Sequence, residues 1–158
     1  FNPTTLSPLI PLLMMTRRFS GSRLVSRSLN SLTYPFPNGA AAAGFVQKLD
    51  ALVLPSRTVP TWSEQFGLVL VEAMLSEVPV IGSDSGAIPE VIDDAGLVYP
   101  EGDPAALAAC LRLLQEPEKR RALALRGRER ARRLYSATAL LDETYRLYTD
   151  LLSRSRVG

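Results

Sequence analysis

Two glutamates, Glu64 and Glu72, stand eight residues apart in the segment PTWSEQFGLVLVEAM, residues 60–74. An ionised carboxylate only accepts hydrogen bonds, so a pair of them suits ligands rich in hydroxyls, such as ribose and hexose. Leu68, Val71, Glu72 and Leu75 recur at helical spacing with Pro79 shortly beyond, which predicts a helix over residues 66–76. Its first turn would offer the amides of Phe66, Gly67, Leu68 and Val69, and free amides at a helix start bind anions with help from the helix dipole. Gly67 keeps side-chain bulk out of the way of a ligand. A carboxylate on either side of an anion site is an arrangement for a sugar nucleotide. Spacing alone leaves a plainer alternative open, in which Glu64 merely favours the helix dipole and Glu72 is a solvated surface residue.

Other chemistries are excluded by composition. The chain has no histidine and one cysteine, Cys110, among its 158 residues. Imidazole is therefore unavailable as general base, phosphate acceptor or metal ligand, and neither an intrachain disulfide nor a structural zinc site can be built. No metal and no cofactor are expected. A single thiol and the lack of a long apolar run fit a cytoplasmic protein.

The elements that must position the glutamates read as α/β. Residues 50–55 (DALVLP) form a short buried strand, residues 78–82 a second and residues 96–99 a third. A brief helix over residues 88–92 is entered through Pro89. Asp103 caps a further helix, with Pro104 at its first position, that runs to about Gln115 and buries Leu107, Cys110, Leu111 and Leu114. Two more helices follow, over residues 118–135 and 138–152. Strands alternating with helices predict an open parallel sheet of Rossmann-like type, and such sheets bind ligands beyond the carboxyl ends of their strands. That rule brings residues 55–67 and the turn carrying Ser85, Gly86 and Ala87 to one rim.

Residues 1–49 contain no acid and carry Arg17, Arg18, Arg23, Arg27 and Lys48, a net charge of +5, whereas residues 50–158 carry a net −3. The expectation is a poorly ordered or artefactual leader over residues 1–45, a domain over 46–152 and a flexible tail over 153–158. Pro35, Pro37, Asn38 and Gly39 punctuate the leader, and the alanines at 40–43 start a short helix toward Lys48. With the positive charge concentrated outside the folded part, a nucleic-acid partner is not expected.

Four ordered blocks carry a resemblance: LVLPS at 52–56, EQFGLVLVEAM at 64–74, PVIGSDSGAIPEVI at 79–92 and AGLVYPEGD at 95–103. Together they resemble the C-terminal, donor-binding domain of the retaining two-domain glycosyltransferases, the GT-B family that includes sucrose and trehalose-type synthases and bacterial lipopolysaccharide mannosyltransferases. The likeness continues less distinctively to about Tyr148. It implies a nucleotide-diphosphate sugar as donor, with Glu64 as the catalytic-site carboxylate holding sugar hydroxyls near the anomeric carbon. It implies Glu72 on the ribose diol, and backbone contacts from Phe66, Gly67, Leu68 and Val69 to sugar and diphosphate. Ser85, Gly86 and Ala87 would lie by the base or the second motif loop, and Glu90 would brace it.

The resemblance also sets out what departs from it. Members of the family clamp the donor diphosphate with an Arg and a Lys on preceding strands, and no basic residue before Asp50 stands in such a setting. The acceptor domain is absent, so the fold is expected to be the incomplete C-terminal half, completed by an N-terminal domain in cis or in trans. Sugar transfer by this chain alone is not expected, and a non-catalytic nucleotide-sugar-binding or structural remnant is the alternative. Glu77 occupies a turn where relatives place Gly, at a cost of about 1 kcal/mol if φ there is positive. The basic run from Lys119 to Arg133 can serve peripheral membrane contact. Alternatively Leu123, Gly127, Ala131 and Leu134 form a buried face and the cations its solvated side.

Overall fold

The structure is a computed structural model that describes residues 13–16, 26–29, 44 and 46–155. Five strands form one sheet: β1 (Leu13–Thr16), β2 (Ser26–Leu29), β3 (Ala51–Leu54), β4 (Val80–Ser83) and β5 (Leu97–Tyr99), in the order β2-β1-β3-β4-β5. The helices are α1 (Leu68–Leu75), α2 (Ile88–Ile92), α3 (Pro104–Leu113), α4 (Pro117–Tyr135) and α5 (Ala137–Ser155), with a 3-10 turn at Asp93–Ala95.

The functional half of the sheet is parallel. β3 pairs with β4 through Leu52↔Val80, Val53↔Ile81 and Leu54↔Gly82, and β4 pairs with β5 through Ile81↔Leu97, Gly82↔Val98 and Ser83↔Tyr99. This register brings Leu54, Ser83 and Tyr99 to one rim, so the loops that follow them begin side by side. Every residue of β3 and β4 is buried, as expected of strands covered on both faces. Leu52, Leu54 and Val80 point into a core closed by Leu70, Met74, Ile88, Ile92 and Ala131. Ala51, Val53 and Ile81 point the other way, against Tyr99, Leu114 and Leu123. Alternation along the strands thus divides the interior into two layers.

Within the segment expected as a leader, two stretches are strands. Leu13–Thr16 pairs antiparallel with β3 through Met14↔Val53, Met15↔Leu52 and Thr16↔Ala51, and Ser26–Leu29 pairs antiparallel with β1. The physical reason is the outer edge of β3, whose amides and carbonyls would otherwise lack a ladder partner; any extended segment can supply one. Gly44 and Val46 are helical, while the prolines and Gly39 of the leader and the alanines at 40–43 lie outside the described residues. At the other end α5 extends to Ser155, into the segment expected as a tail.

Helix boundaries follow local chemistry. Asp103 caps α3 by accepting from the amides of Ala105 and Ala106, both at 2.9 Å. Leu107, Cys110 and Leu111 are only partly buried, and Leu114, fully buried, lies just past the helix end. On α4, Leu123, Ala124, Gly127 and Ala131 are buried, whereas Leu134 is exposed near the helix end. Gly127 sits against Met74, where a Cβ would approach Met74 Cγ to 3.3 Å. Glu77 adopts φ 57°, the left-handed conformation that glycine takes without cost, and it pairs with Arg128 of α4. Leu140, Leu141, Tyr145, Leu147, Tyr148, Leu151 and Leu152 of α5 are all exposed.

Candidate functional site

Glu64 is the centre of the rim. It lies on the loop between β3 and α1, and both of its carboxylate oxygens are engaged. The Gly67 amide donates to Oε1 at 3.0 Å and the Ser56 hydroxyl donates to Oε2 at 3.2 Å. Its carbonyl accepts from the Ala87 amide at 2.9 Å. Glu64 is half-buried, so the carboxylate is fixed in direction while part of it still faces solvent. Each oxygen has a second lone pair, and a sugar hydroxyl can donate to it.

The start of α1 depends on Gly67. Its φ is 75°, the left-handed region, and it is the residue that precedes the first helical position. A Cβ there would stand 3.0 Å from Leu70 Cδ1 and 3.1 Å from Leu54 Cδ2. No side chain caps the helix from that position; the Glu64 carboxylate, reaching forward three residues, takes the Gly67 amide instead. The helix therefore begins two residues later than residues 66–76 suggest, and Phe66 and Gly67 belong to the loop. Of the four amides expected to be free, that of Gly67 is occupied by Glu64. Those of Phe66, Leu68 and Val69 have no acceptor among the described residues. Three donors at the turn are thus left without a protein acceptor among the described residues. The Phe66 side chain is turned away, edge-on to Tyr135 of α4 with centroids 5.3 Å apart. Leu68 is exposed and Val69 half-buried.

Glu72 lies apart from this cluster. It is exposed on α1, on the same outward face as Leu68 and Leu75, while Leu70, Val71, Ala73 and Met74 turn inward. Glu64 is thus fixed by hydrogen bonds before the helix, while Glu72 is open to solvent in its middle.

The turn containing Ser85, Gly86 and Ala87 is placed against Glu64 by backbone. Gly86 has φ 55°, and a Cβ on it would overlap the Glu64 carbonyl oxygen and lie 2.9 Å from the Glu64 carbonyl carbon and amide nitrogen. Ser85 is buried, and its hydroxyl bonds that of Thr58 at 2.8 Å. Ser85 and the Ala87 amide therefore hold the two loops together. Glu90 is exposed; its carbonyl accepts from Arg130, which also reaches Val91 O and Asp93.

Several rim residues carry no signal in the motif spacing. Ser56 and Ser83 are buried at the ends of β3 and β4, and the Ser83 hydroxyl donates to Ser56 O at 2.6 Å. The usable signal was a hydroxyl just past a buried strand, where a polar group must find a partner. Asp84, Glu101 and Thr58 continue the rim: the Glu101 amide donates to Asp84 at 2.7 Å and the Thr58 amide to Glu101 at 2.8 Å. Arg57 puts an exposed cation on the same rim, beside Gly102. Burial raises the Tyr99 phenol above its ordinary range, Cys110 and Asp84 adding to the effect and Arg57 opposing it. Trp62 closes a bridge with Val59 and helps line an open hollow of about 680 Å³ formed by residues 58–63 and Gln65.

With this geometry in view, the comparisons with known proteins are decisive. Residues 35–130 match the family model described as glycosyl transferases group 1. The chain is a member of that family. Its fold is that of the C-terminal, donor-binding half of the GT-B glycosyltransferases. It is 39% identical over 89 residues to a trehalose synthase of Rubrobacter xylanophilus, covering 56% of this chain and 21% of that one. It is 36% identical over 98 residues to an N-acetyl-alpha-D-glucosaminyl L-malate synthase of Bacillus anthracis, covering 60% and 26%. Among solved structures it superposes on sucrose-phosphate synthase from Thermosynechococcus elongatus with TM-score 0.59 and 33% identity, over 70% of this chain and 27% of that one. It also superposes on the C-terminal domain of a group 1 family glycosyl transferase from Francisella tularensis with TM-score 0.56 and 27% identity, over 65% and 51%. The chain spans 21% and 26% of the two curated relatives named. Among the described residues no helix is long and apolar enough to cross a membrane.

Proposed function

We propose that this chain binds a nucleotide-diphosphate sugar as the donor half of a glycosyltransferase that retains anomeric configuration. The observation that carries the reading is the Glu64 carboxylate, fixed at both oxygens beside a helix start where three amides have no acceptor among the described residues. The carboxylate would accept hydroxyls of the donor sugar, the amides of Phe66, Leu68 and Val69 would meet the diphosphate, and Glu72 would accept the ribose diol. Negative charge that develops on the departing diphosphate would be met by preorganised dipoles, so the protein's part is positioning and electrostatics. The acceptor hydroxyl would attack from the face the diphosphate leaves. Acceptor contacts belong to a second domain, and the exposed apolar side chains of α5 are where we place its contact with this chain.

The test is a binding comparison on the 158-residue chain, using UDP-glucose with UDP, ADP-glucose with ADP, and GDP-mannose with GDP. Ligand-observed NMR suits millimolar affinity and calorimetry micromolar affinity. Glu72→Gln is expected to weaken a nucleotide sugar and its nucleoside diphosphate equally, because both carry the ribose. Glu64→Gln is expected to weaken only the sugar-bearing ligand, by about 10- to 150-fold if one hydrogen bond to a charged group is lost. Binding of none of the six ligands, or equal losses for both members of a pair in Glu64→Gln, would refute the assignment.

A further inference from the structure

We infer that Ser56 is a positioning residue for Glu64 and that, through it, Ser56 sets how strongly the site prefers a sugar-bearing nucleotide over the bare diphosphate. The inference rests on the donor-binding role proposed for Glu64. Ser56 is 1% exposed, at the first position past Pro55 where β3 leaves the sheet. Its hydroxyl has one proton, and that proton goes to Glu64 Oε2 at 3.2 Å. Its backbone is anchored in turn, since the Ser83 hydroxyl at the end of β4 donates to Ser56 O at 2.6 Å. The Gly67 amide holds the other oxygen at 3.0 Å. A carboxylate with one donor can swing about that bond, whereas two donors on different oxygens fix its plane. One donor comes from the α1 side and the other from the sheet. The plane of the carboxylate is therefore referred to the rigid end of β3, and the free lone pairs point in a set direction. A hydroxyl-bearing ligand gains from that direction; a ligand without the sugar does not.

The experiment uses the same six ligands and four proteins: wild type, Ser56→Ala, Glu64→Gln and the double variant. The quantity read is the ratio of affinity for each nucleotide sugar to that for its diphosphate. Ser56→Ala is expected to lower this ratio roughly 10-fold, the lower end of what losing one hydrogen bond to a charged group costs. Affinity for UDP, ADP or GDP should stay unchanged, and Ser56→Ala should have no further effect in the Glu64→Gln background. Hydrogen exchange at the Gly67 amide is expected to quicken in Ser56→Ala as the carboxylate loosens. A ratio unmoved by Ser56→Ala while Glu64→Gln lowers it would overturn the role of Ser56 alone. Equal weakening of sugar and bare nucleotides by Ser56→Ala would also overturn it, by revealing general loss of the loop. Absence of any sugar preference in the wild type would instead remove the role of Glu64, and this inference with it. Should Ser56→Ala not fold, Ser56→Cys keeps a similar size with a weaker donor and gives the same comparison.

Discussion

Replacing Gly86 by alanine tests whether the loop carrying Glu64 is positioned by direct backbone contact. At φ 55° an alanine pays the left-handed penalty, about 1–2 kcal/mol. Its Cβ would overlap the carbonyl oxygen of Glu64 and stand 2.9 Å from two further backbone atoms of that residue. Backbone cannot rotate aside as a side chain does, so the two loops must separate. The bond from the Ala87 amide to Glu64 O, 2.9 Å long, is the first casualty, and its loss adds about 0.5–1.5 kcal/mol. The expected total is about 1.5–3.5 kcal/mol. Gly102→Ala is the matched control: φ is 78° there, but the nearest obstacle is the Arg57 Nη2 atom at 2.9 Å, the end of a flexible side chain. It should cost only the backbone penalty, about 1–2 kcal/mol. Urea titrations followed by circular dichroism measure both. Trp62, the single tryptophan, lies two residues before Glu64, and its fluorescence reports the loop separately. If Gly86→Ala proves as mild as Gly102→Ala, within about 0.5 kcal/mol, the contact does not position the loop.

Three further outcomes follow from particular contacts. Glu77→Gly should be about 1 kcal/mol more stable than Glu77→Ala, because both lose the pairing with Arg128 and only glycine relieves the positive φ; equal urea midpoints would contradict this. Stability should decline above about pH 9, because burial raises both the Cys110 thiol, ordinarily near 9.0, and the Tyr99 phenol, ordinarily near 10.0. The fold favours the neutral form of each group, so its contribution is complete below those values. It is lost as the pH climbs through them to the raised native values. Midpoints measured from about pH 8 to 11 should show the decline, and Tyr99→Phe should flatten its upper part. Asp103→Ala should cost about 1 kcal/mol by releasing the Ala105 and Ala106 amides, and an unchanged melting temperature would argue against the cap.

Much of the frame was determined by sequence because its causes are local. Continuous apolar runs at residues 51–54 and 78–81, Pro104 behind Asp103, and the helical repeat after Gly67 need only neighbours a few residues away to act. The left-handed turn at Glu77 was legible for the same reason: the conformation belongs to the position, and glutamate there is a visible exception. The blocks from Leu52 to Asp103 carried the family. Tertiary structure decided what distant groups do to one another. Ser56 meets Glu64 across eight residues, Ser83 meets Ser56 across 27, and the Ala87 amide meets the Glu64 carbonyl. None of these has a periodicity, because the first depends on how one loop folds back and the other two on parallel strands ending at a common rim. The pairing of Leu13–Thr16 with β3 was equally hidden, since a ladder bond uses backbone atoms that every residue type supplies. Sequence thus named the carboxylates, and only the folded path of the loop after β3 determined that Glu64 is held at both oxygens while Glu72 lies exposed.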